Sequence, residues 1–386
     1  MNLDALRSDT PGTAHGIHLL AAGSALMARP VITAVKDHLD LEVQIGGYEA
    51  HARQRDQLEG VYDSVATLVG GRADEIALVE NATVAWCQAF YALPFEPGDR
   101  VITCEAEYGA NYVAYLQRVR RDGIVVDVAP STPSGHLDTE ALDAMIDDRV
   151  KLIATTWIPT NGGLVNPAAE IGRVARAHGV PYLLDACQAA GQMPVDVEEL
   201  GCDFLSATGR KFLRGPRGTG FLWVRGELIS DLEPPMIDHY AADWVATNTY
   251  ELRPDARRFE NWENAYALRA GLGVAVDYAL DLGLDAIQER AWGLAARLRA
   301  GLSDIDGAQV RDLGDQQCAI VSFTIEGVDP VARVAELRAG GISIGATDPA
   351  STRLDAEARD LPMMFRAAPH YYNTEAEVDA LLDALT

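Results

Sequence analysis

The segments Tyr182-Leu183-Leu184-Asp185-Ala186-Cys187-Gln188 and Leu205-Ser206-Ala207-Thr208-Gly209-Arg210-Lys211-Phe212 decide how this chain is read. Each is an apolar run of strand length that ends in a charged residue. The 26 residues from Asp185 to Lys211 leave room for one helix and one returning strand. That is the spacing of a βα unit in a parallel sheet. Lys211 stands out further because only three of the 32 basic residues are lysine: Lys36, Lys151 and Lys211. Arginine stays charged in any site, whereas a desolvated lysine can lose its proton and attack a carbonyl as a free amine.

Outward from this pair the alternation continues. Strands are expected at Val101–Thr103, Ile124–Val128, Leu152–Thr156, Tyr182–Leu184, Phe204–Ala207 and Gly220–Val224, with helical patterns between them. One helix is expected over Pro167–His178, opened by proline and stopped by Gly179. Residues 264–302 read as one or two helices. Beyond them come a strand (Ala319–Ile325), a helix (Pro330–Ala339), short strands at Ile342–Ile344 and Met363–Ala367, and a closing helix over Thr374–Leu385. The division expected is an N-terminal arm over 1–20, a large domain over 21–265, and linking helices with a small α+β domain over 266–386.

Composition narrows the function. The net charge of −25 repels nucleic-acid phosphates over most of the surface. No apolar run reaches 18 residues, so no membrane partner is expected, and the N-terminus lacks a signal-peptide layout. A cytoplasmic enzyme is the expectation. The five cysteines are scattered, with no CxxC and no zinc spacing, so no metal is expected.

A Schiff-base lysine suits pyridoxal 5'-phosphate, which needs three further things. Its ring nitrogen stays protonated only beside a buried carboxylate, for which Asp185 is the candidate. Gln188, three residues on, can reach a ring substituent. The phosphate needs open amides at a helix N-terminus with hydroxyls or a cation. Glu80-Asn81-Ala82-Thr83-Val84-Ala85 supplies the first, and Thr208 and Arg210 the second. Each segment alone reads equally as a helix cap or a packed strand end. Their order, each at the end of a strand, is what carries the inference.

Asn81-Ala82-Thr83, Asp185-x-x-Gln188 and Thr208-Gly209-Arg210-Lys211, with Gly191-Gln192-Met193-Pro194-Val195-Asp196-Val197 between, resemble the class V aminotransferase family. These are fold-type I pyridoxal-phosphate enzymes of the cysteine desulfurase and isopenicillin N epimerase-like group. The resemblance covers roughly residues 20–385. It implies an α/β fold with a large, mainly parallel sheet domain and a smaller α+β C-terminal domain, assembled as a homodimer with shared active sites. It assigns Lys211 to the Schiff base and Asp185 to the ring nitrogen as catalytic residues. Gln188 and Thr160 or Asn161 would face the ring hydroxyl, Tyr108 would stack on the ring, and Ala82, Thr83, Thr208 and Arg210 would hold the phosphate. Arg366 would grip the substrate carboxylate.

Three departures from the desulfurase pattern are visible. Arg210 stands where histidine precedes the lysine. Glu260-Asn261-Trp262-Glu263 replaces the Ala-Gly-Thr lent to a neighbouring subunit's phosphate, with Trp262 expected to reach across instead. The loop that would carry the nucleophilic cysteine reads Gly345-Ala346-Thr347-Asp348-Pro349-Ala350-Ser351-Thr352-Arg353-Leu354-Asp355 and has none. Within the family the chain resembles ergothioneine-type C–S lyases in Glu42–Glu49, Arg258–Glu263 and Thr352–Asp355 with Arg359–Pro362. That implies β-elimination from an S-substituted cysteine or its sulfoxide to a sulfur product, pyruvate and ammonia, in a pocket lined by Tyr48, Trp157 and Trp262. Epimerisation or racemisation, and transamination, are the alternatives within the family. A non-catalytic binding protein of the same fold is the alternative outside it.

Overall fold

A computed structural model describes residues 1–386. A short strand β1 (Ile17–His18) precedes a seven-stranded sheet built from β2 (Ile76–Val79), β3 (Arg100–Cys104), β4 (Val125–Ala129), β5 (Val150–Thr156), β6 (Tyr182–Asp185), β7 (Phe204–Thr208) and β8 (Gly220–Val224). Its order is β2-β8-β7-β6-β5-β3-β4. The run β7-β6-β5-β3-β4 is parallel, and β8 lies antiparallel between β7 and β2.

Alternation along each strand feeds two cores, as a sheet covered on both faces requires. Tyr182, Leu184, Leu205 and Trp223 pack into one buried cluster, while Leu183, Phe204, Leu222 and Val224 pack into another on the opposite face. Buried on both sides, these strands must present continuous apolar runs, which is why they were legible. Helices Ala82–Ala92, Gly109–Asp122 and Ala168–His178 are the connections; Gly123 and Gly179 close the last two with left-handed φ of 71° and 64°.

Besides β1 and two three-residue strands of the small sheet (Ala308–Val310 and Gly345–Thr347), two larger features fall outside the expected strands. One is β2. The other is a hairpin of β9 (Ala242–Ala246) and β10 (Thr249–Leu252), which is solvent-facing along most of its length. Residues 264–302 form two helices, Tyr266–Leu282 and Leu284–Leu302, broken at Gly283 with φ of 82°. The first packs on helices Arg29–Ile45 and Arg55–Val69, beside the large sheet. The second packs on the closing helix Glu375–Leu385 and the small sheet.

The small sheet contains β11 (Ala308–Val310), β12 (Val321–Ile325), β14 (Gly345–Thr347) and β15 (Met364–Ala367), all antiparallel, in the order β11-β12-β15-β14. Strand β13 (Ile342–Ser343) instead pairs with β1, so the N-terminal arm is stitched to this domain. The buried pair Arg299–Asp312 (2.8 Å) ties the small domain to the large one, because Asp312 also accepts from the amide of Gly163 at 3.0 Å. No helix is long and apolar enough to cross a membrane.

Candidate active site

Strands β3, β5, β6 and β7 run in the same direction, and β2, antiparallel to β8, points the same way. Their C-terminal ends therefore lie along one edge. That edge gathers Asn81–Thr83, Glu105–Tyr108, Trp157–Asn161, Asp185–Gln188 and Thr208–Lys211. Open α/β sheets bind ligands at such an edge. Register aligns the key positions: Thr156 is opposite Asp185, and Asp185 is opposite Ser206.

Lys211 follows β7 and is 7 % exposed. Burial lowers its pKa, with Arg210 and Arg366 pushing the same way while Cys187 and Asp185 oppose them. The result favours a neutral, nucleophilic amine. Its Nζ lies 6.0 Å from the centre of the Tyr108 ring. Asp185, 4 % exposed, accepts from the Cys187 amide through Oδ1 (2.9 Å) and from Asn111 Nδ2 through Oδ2 (2.9 Å).

Gln188 donates from Nε2 to the carbonyl of Ala22 (3.2 Å) and to Thr160 Oγ1 (3.3 Å). Its Oε1 is buried without a partner. Arg366 donates from Nη1 to the carbonyl (2.9 Å) and hydroxyl (2.8 Å) of Thr160. Its Nε is likewise unpartnered, and burial lowers the guanidinium pKa to about 10. Two buried polar atoms without a protein partner on one edge are costly unless a ligand meets them. They fit a ligand that brings both a donor and an anionic acceptor.

Asn81 caps helix Ala82–Ala92 by accepting from the Val84 amide (3.0 Å), which leaves the amides of Ala82 and Thr83 at the open end. Thr208 donates its hydroxyl hydrogen to the carbonyl of Thr219 (3.2 Å), and rotation about its C–O bond would turn that hydrogen toward a phosphate instead. Arg210 donates to the carbonyl of Gly23. Between them, Gly209 leaves room for Thr219, whose hydroxyl would stand 2.2 Å from an added Cβ. Open helix amides, hydroxyls and one guanidinium are the donor set for a phosphate.

Asn161 is committed elsewhere. It donates to the carbonyl of Asp348 and to Thr352 Oγ1, both at 3.1 Å, and accepts from Thr347. Its amide thereby pins the segment after β14. The same segment abuts Gly109, where an added Cβ would stand 2.9 Å from the carbonyl of Ala350. The amide of Asp355 donates to the carbonyl of Glu105 (3.1 Å). The thiol-free loop is thus a fastened wall over the residues that follow β3.

Of the three aromatic residues expected to line a pocket, Trp157 is buried and donates its amide to the carbonyl of Asp185 (3.0 Å). Tyr48 is 79 % exposed and Trp262 45 % exposed, the latter against His239. Within one chain these two stand on the surface. Three residues of the site were not singled out from sequence. Glu107 and Asn111 lie behind Asp185, and Cys187 lies between Asp185 and Gln188. The signal for the first two was a Glu-x-x-x-Asn spacing across a helix start, which sets both side chains on one face.

An edge of parallel strands carrying a buried lysine, a buried aspartate and an anion-binding helix start defines a fold-type I pyridoxal-phosphate enzyme. The aminotransferase class-V model matches residues 17–381, and the chain belongs to that family. It is 30 % identical over 401 residues to the cysteine desulfurase of Dickeya dadantii, covering 99 % of this chain and 96 % of that one. It is 27 % identical over 418 residues to the cysteine desulfurase of Haloferax volcanii, covering 100 % and 96 %. Among solved structures, the apo cysteine desulfurase of Thermococcus onnurineus superposes with a TM-score of 0.91 at 24 % identity, covering 99 % and 96 %. The cystine C–S lyase C-DES, in complex with cysteine persulfide, does so with a TM-score of 0.88 at 22 % identity, covering 97 % and 98 %.

Proposed function

We propose that this enzyme is a C–S lyase that breaks the Cβ–S bond of an S-substituted cysteine, or of its sulfoxide, by β-elimination. The observation that carries this is the wall at residues 345–352, which holds no thiol and is fastened by Asn161. The cysteine beside the lysine does not replace the missing one. Burial, and then Asp185, push the Cys187 thiol up to about 12, against the pull of Lys211 and Arg210, so it stays protonated. A protonated thiol is a poor acceptor for sulfur.

When bound, pyridoxal phosphate supplies an electron sink for the pair released at the substrate's α carbon. The chain's own residues do the rest. Lys211 would take the α proton. Asp185 would keep a proton on the ring nitrogen, and Gln188 with Thr160 would hold the ring hydroxyl. Tyr108 would cover the ring, while Ala82, Thr83, Thr208 and Arg210 would hold the phosphate. Arg366 binds the substrate carboxylate through the edge that Thr160 leaves free. The Cβ–S bond then breaks, the sulfur leaves with the bonding pair as thiolate or sulfenate, and water hydrolyses the three-carbon remainder to pyruvate and ammonia. The exposed aromatic side chains of Tyr48, Trp244, Tyr250 and Trp262 support a homodimer in which Trp262 and Tyr48 border the partner's substrate channel.

A second reading, cysteine desulfuration, is favoured by the relatives' activity. Without a cysteine in the wall it would need Cys87, a half-buried thiol in the open groove shared by Thr83, Tyr108, Asp348 and Ser351. One set of assays separates these. S-substituted cysteines and their sulfoxides should yield pyruvate in step with the sulfur product. Alanine with a persulfide on Cys87, abolished in Cys87→Ser, would overturn the lyase in favour of the desulfurase. Exchange of the α proton with inversion and no pyruvate would point to an epimerase. Lys211→Ala should lose the visible absorbance of the lysine-bound cofactor together with all turnover.

A further inference from the structure

Behind Asp185 lies a second carboxylate that the reaction does not touch. Glu107, 3 % exposed, follows β3 and accepts five hydrogen bonds. Its Oε1 takes the Tyr108 amide (2.6 Å), Asn111 Nδ2 (3.0 Å) and Thr156 Oγ1 (2.5 Å). Its Oε2 takes Thr103 Oγ1 (2.7 Å) and the Tyr115 hydroxyl (3.0 Å). All five donors are uncharged, and no lysine, arginine or histidine pairs with it. The titratable groups around it, Asp185, Cys104, Tyr182 and the donor Tyr115, are acids as well.

Asn111 is the link. Its amide nitrogen has two hydrogens, and it gives one to Glu107 and the other to Asp185 (2.9 Å). Two buried carboxylates thus share one neutral bridge. We propose that Glu107 is a positioning residue, held as a carboxylate by five uncharged donors. Acting through Asn111, it aims the Asp185 carboxylate and adds the negative potential that keeps the ring nitrogen of bound pyridoxal phosphate protonated.

The arrangement suits that task. Two buried like charges raise each other's proton affinity, and a cationic ring nitrogen beside Asp185 is the partner that relieves the repulsion. Burial is the largest influence on Glu107 and, with the Asp185 charge, leaves its pKa raised, while Thr156, Thr103 and Asn111 pull it back toward the usual carboxylate range. A carboxylate with no cation of its own projects its charge toward the nearest opposite one, and a low-dielectric interior screens that charge weakly. Residues that orient a ligand's direct partner change affinity on the order of 10- to 100-fold when altered, by analogy with metal sites.

The inference depends on the assignment of Asp185 to the ring nitrogen and holds for any reaction the family runs. Its test is Glu107→Gln in the full-length protein. Glutamine keeps the Oε1 acceptor, and the Thr103 and Tyr115 hydroxyls can turn to accept from its amide. Shape is therefore preserved and only charge is removed. Apo protein is reconstituted with pyridoxal phosphate labelled with 15N at the ring, and the nitrogen signal is followed against pH. The cofactor dissociation constant and the thermal midpoint of the apo protein are measured alongside.

We expect the ring nitrogen to release its proton at lower pH in Glu107→Gln than in the parent. Cofactor binding should weaken roughly 10-fold or more, with the apo midpoint little changed. An unchanged nitrogen titration and unchanged affinity would overturn the proposal, since glutamine would then mimic an already neutral side chain. If Glu107→Gln does not fold, Asn111→Leu breaks the bridge and must shift the nitrogen signal in the same direction; no shift there overturns it equally. Asp185→Asn is the control: an unchanged ring-nitrogen signal in that variant would sink the Asp185 assignment itself, a failure distinct from that of Glu107.

Discussion

Lysine 211 was legible because its signal is local. A strand-length apolar run, a charged terminus and a glycine-rich sequel adjoin it in sequence, and Asp185, at the end of the neighbouring strand, stands only 26 residues before it. Asn111 and Glu107 were not legible, since the group that gives them meaning, Asp185, is 74 residues from Asn111. Asn161 was legible only as a residue near the ring. Its actual partners Asp348 and Thr352 lie 187 and 191 residues away, and no pattern spans that distance. Arg366 shows what a long-range partner does for function. Thr160 occupies its Nη1 and sets the guanidinium's direction. Arg366→Ala should raise KM for the amino-acid substrate roughly 10- to 100-fold, the worth of a charge-assisted pair. Steady-state kinetics check this, and the cofactor's visible absorbance should persist. Loss of absorbance would make Arg366 a structural residue.

At the scale of elements, the buried parallel strands were read to within two residues, because burial on both faces enforces a continuous apolar run. The strand β2 and the hairpin β9–β10 escaped for opposite reasons. The first is a four-residue apolar run between a 3-10 turn and the next helix start, and a run that short does not by periodicity tell a strand from a buried helix segment. The second has almost no buried face, so nothing imposes alternation on it. The wall looked like a loop but consists of β14 and a 3-10 turn over Pro349–Thr352, held at both ends and along its length. Gly109 is where it presses on the large domain. Gly109→Ala would push a methyl group into the Ala350 carbonyl at 2.9 Å. The expected cost is about 1–3 kcal/mol of stability, as for other overpacked contacts, with a change in KM among S-substituents larger than the change in cofactor affinity. Thermal unfolding and a substrate panel measure the two effects.

Over the whole molecule, two domains and the N-terminal arm converge on the lysine loop. His370 of the small domain hydrogen-bonds through Nε2 to the carbonyl of Phe212, the residue after Lys211, at 2.8 Å. Its Nδ1 accepts from the Tyr371 amide (2.9 Å), so the ring is held neutral. Burial, with Arg214 nearby, lowers its pKa to about 3. The unfolded chain therefore binds a proton here that the folded chain refuses. Stability from this group is complete above the unfolded value of about 6.5 and declines as pH falls toward about 3. The slope is on the order of 1 kcal/mol per pH unit. Denaturant unfolding from pH 7 to pH 4.5 should show the loss, and His370→Gln, whatever its starting stability, should show a shallower one.

The wall has a last consequence. In the proposed reading, proton transfer and cofactor binding would belong to strand ends of the large sheet, while the wall facing the substrate's side chain would hang from the small one. Catalysis and selectivity would then be carried on separate pieces of chain. Exchanging residues 347–352 for other sequences that keep Thr347 and Thr352 as fastenings is expected to change which side chain is admitted and to leave the acid–base groups where they are. The fold behaves as a fixed engine with an interchangeable aperture.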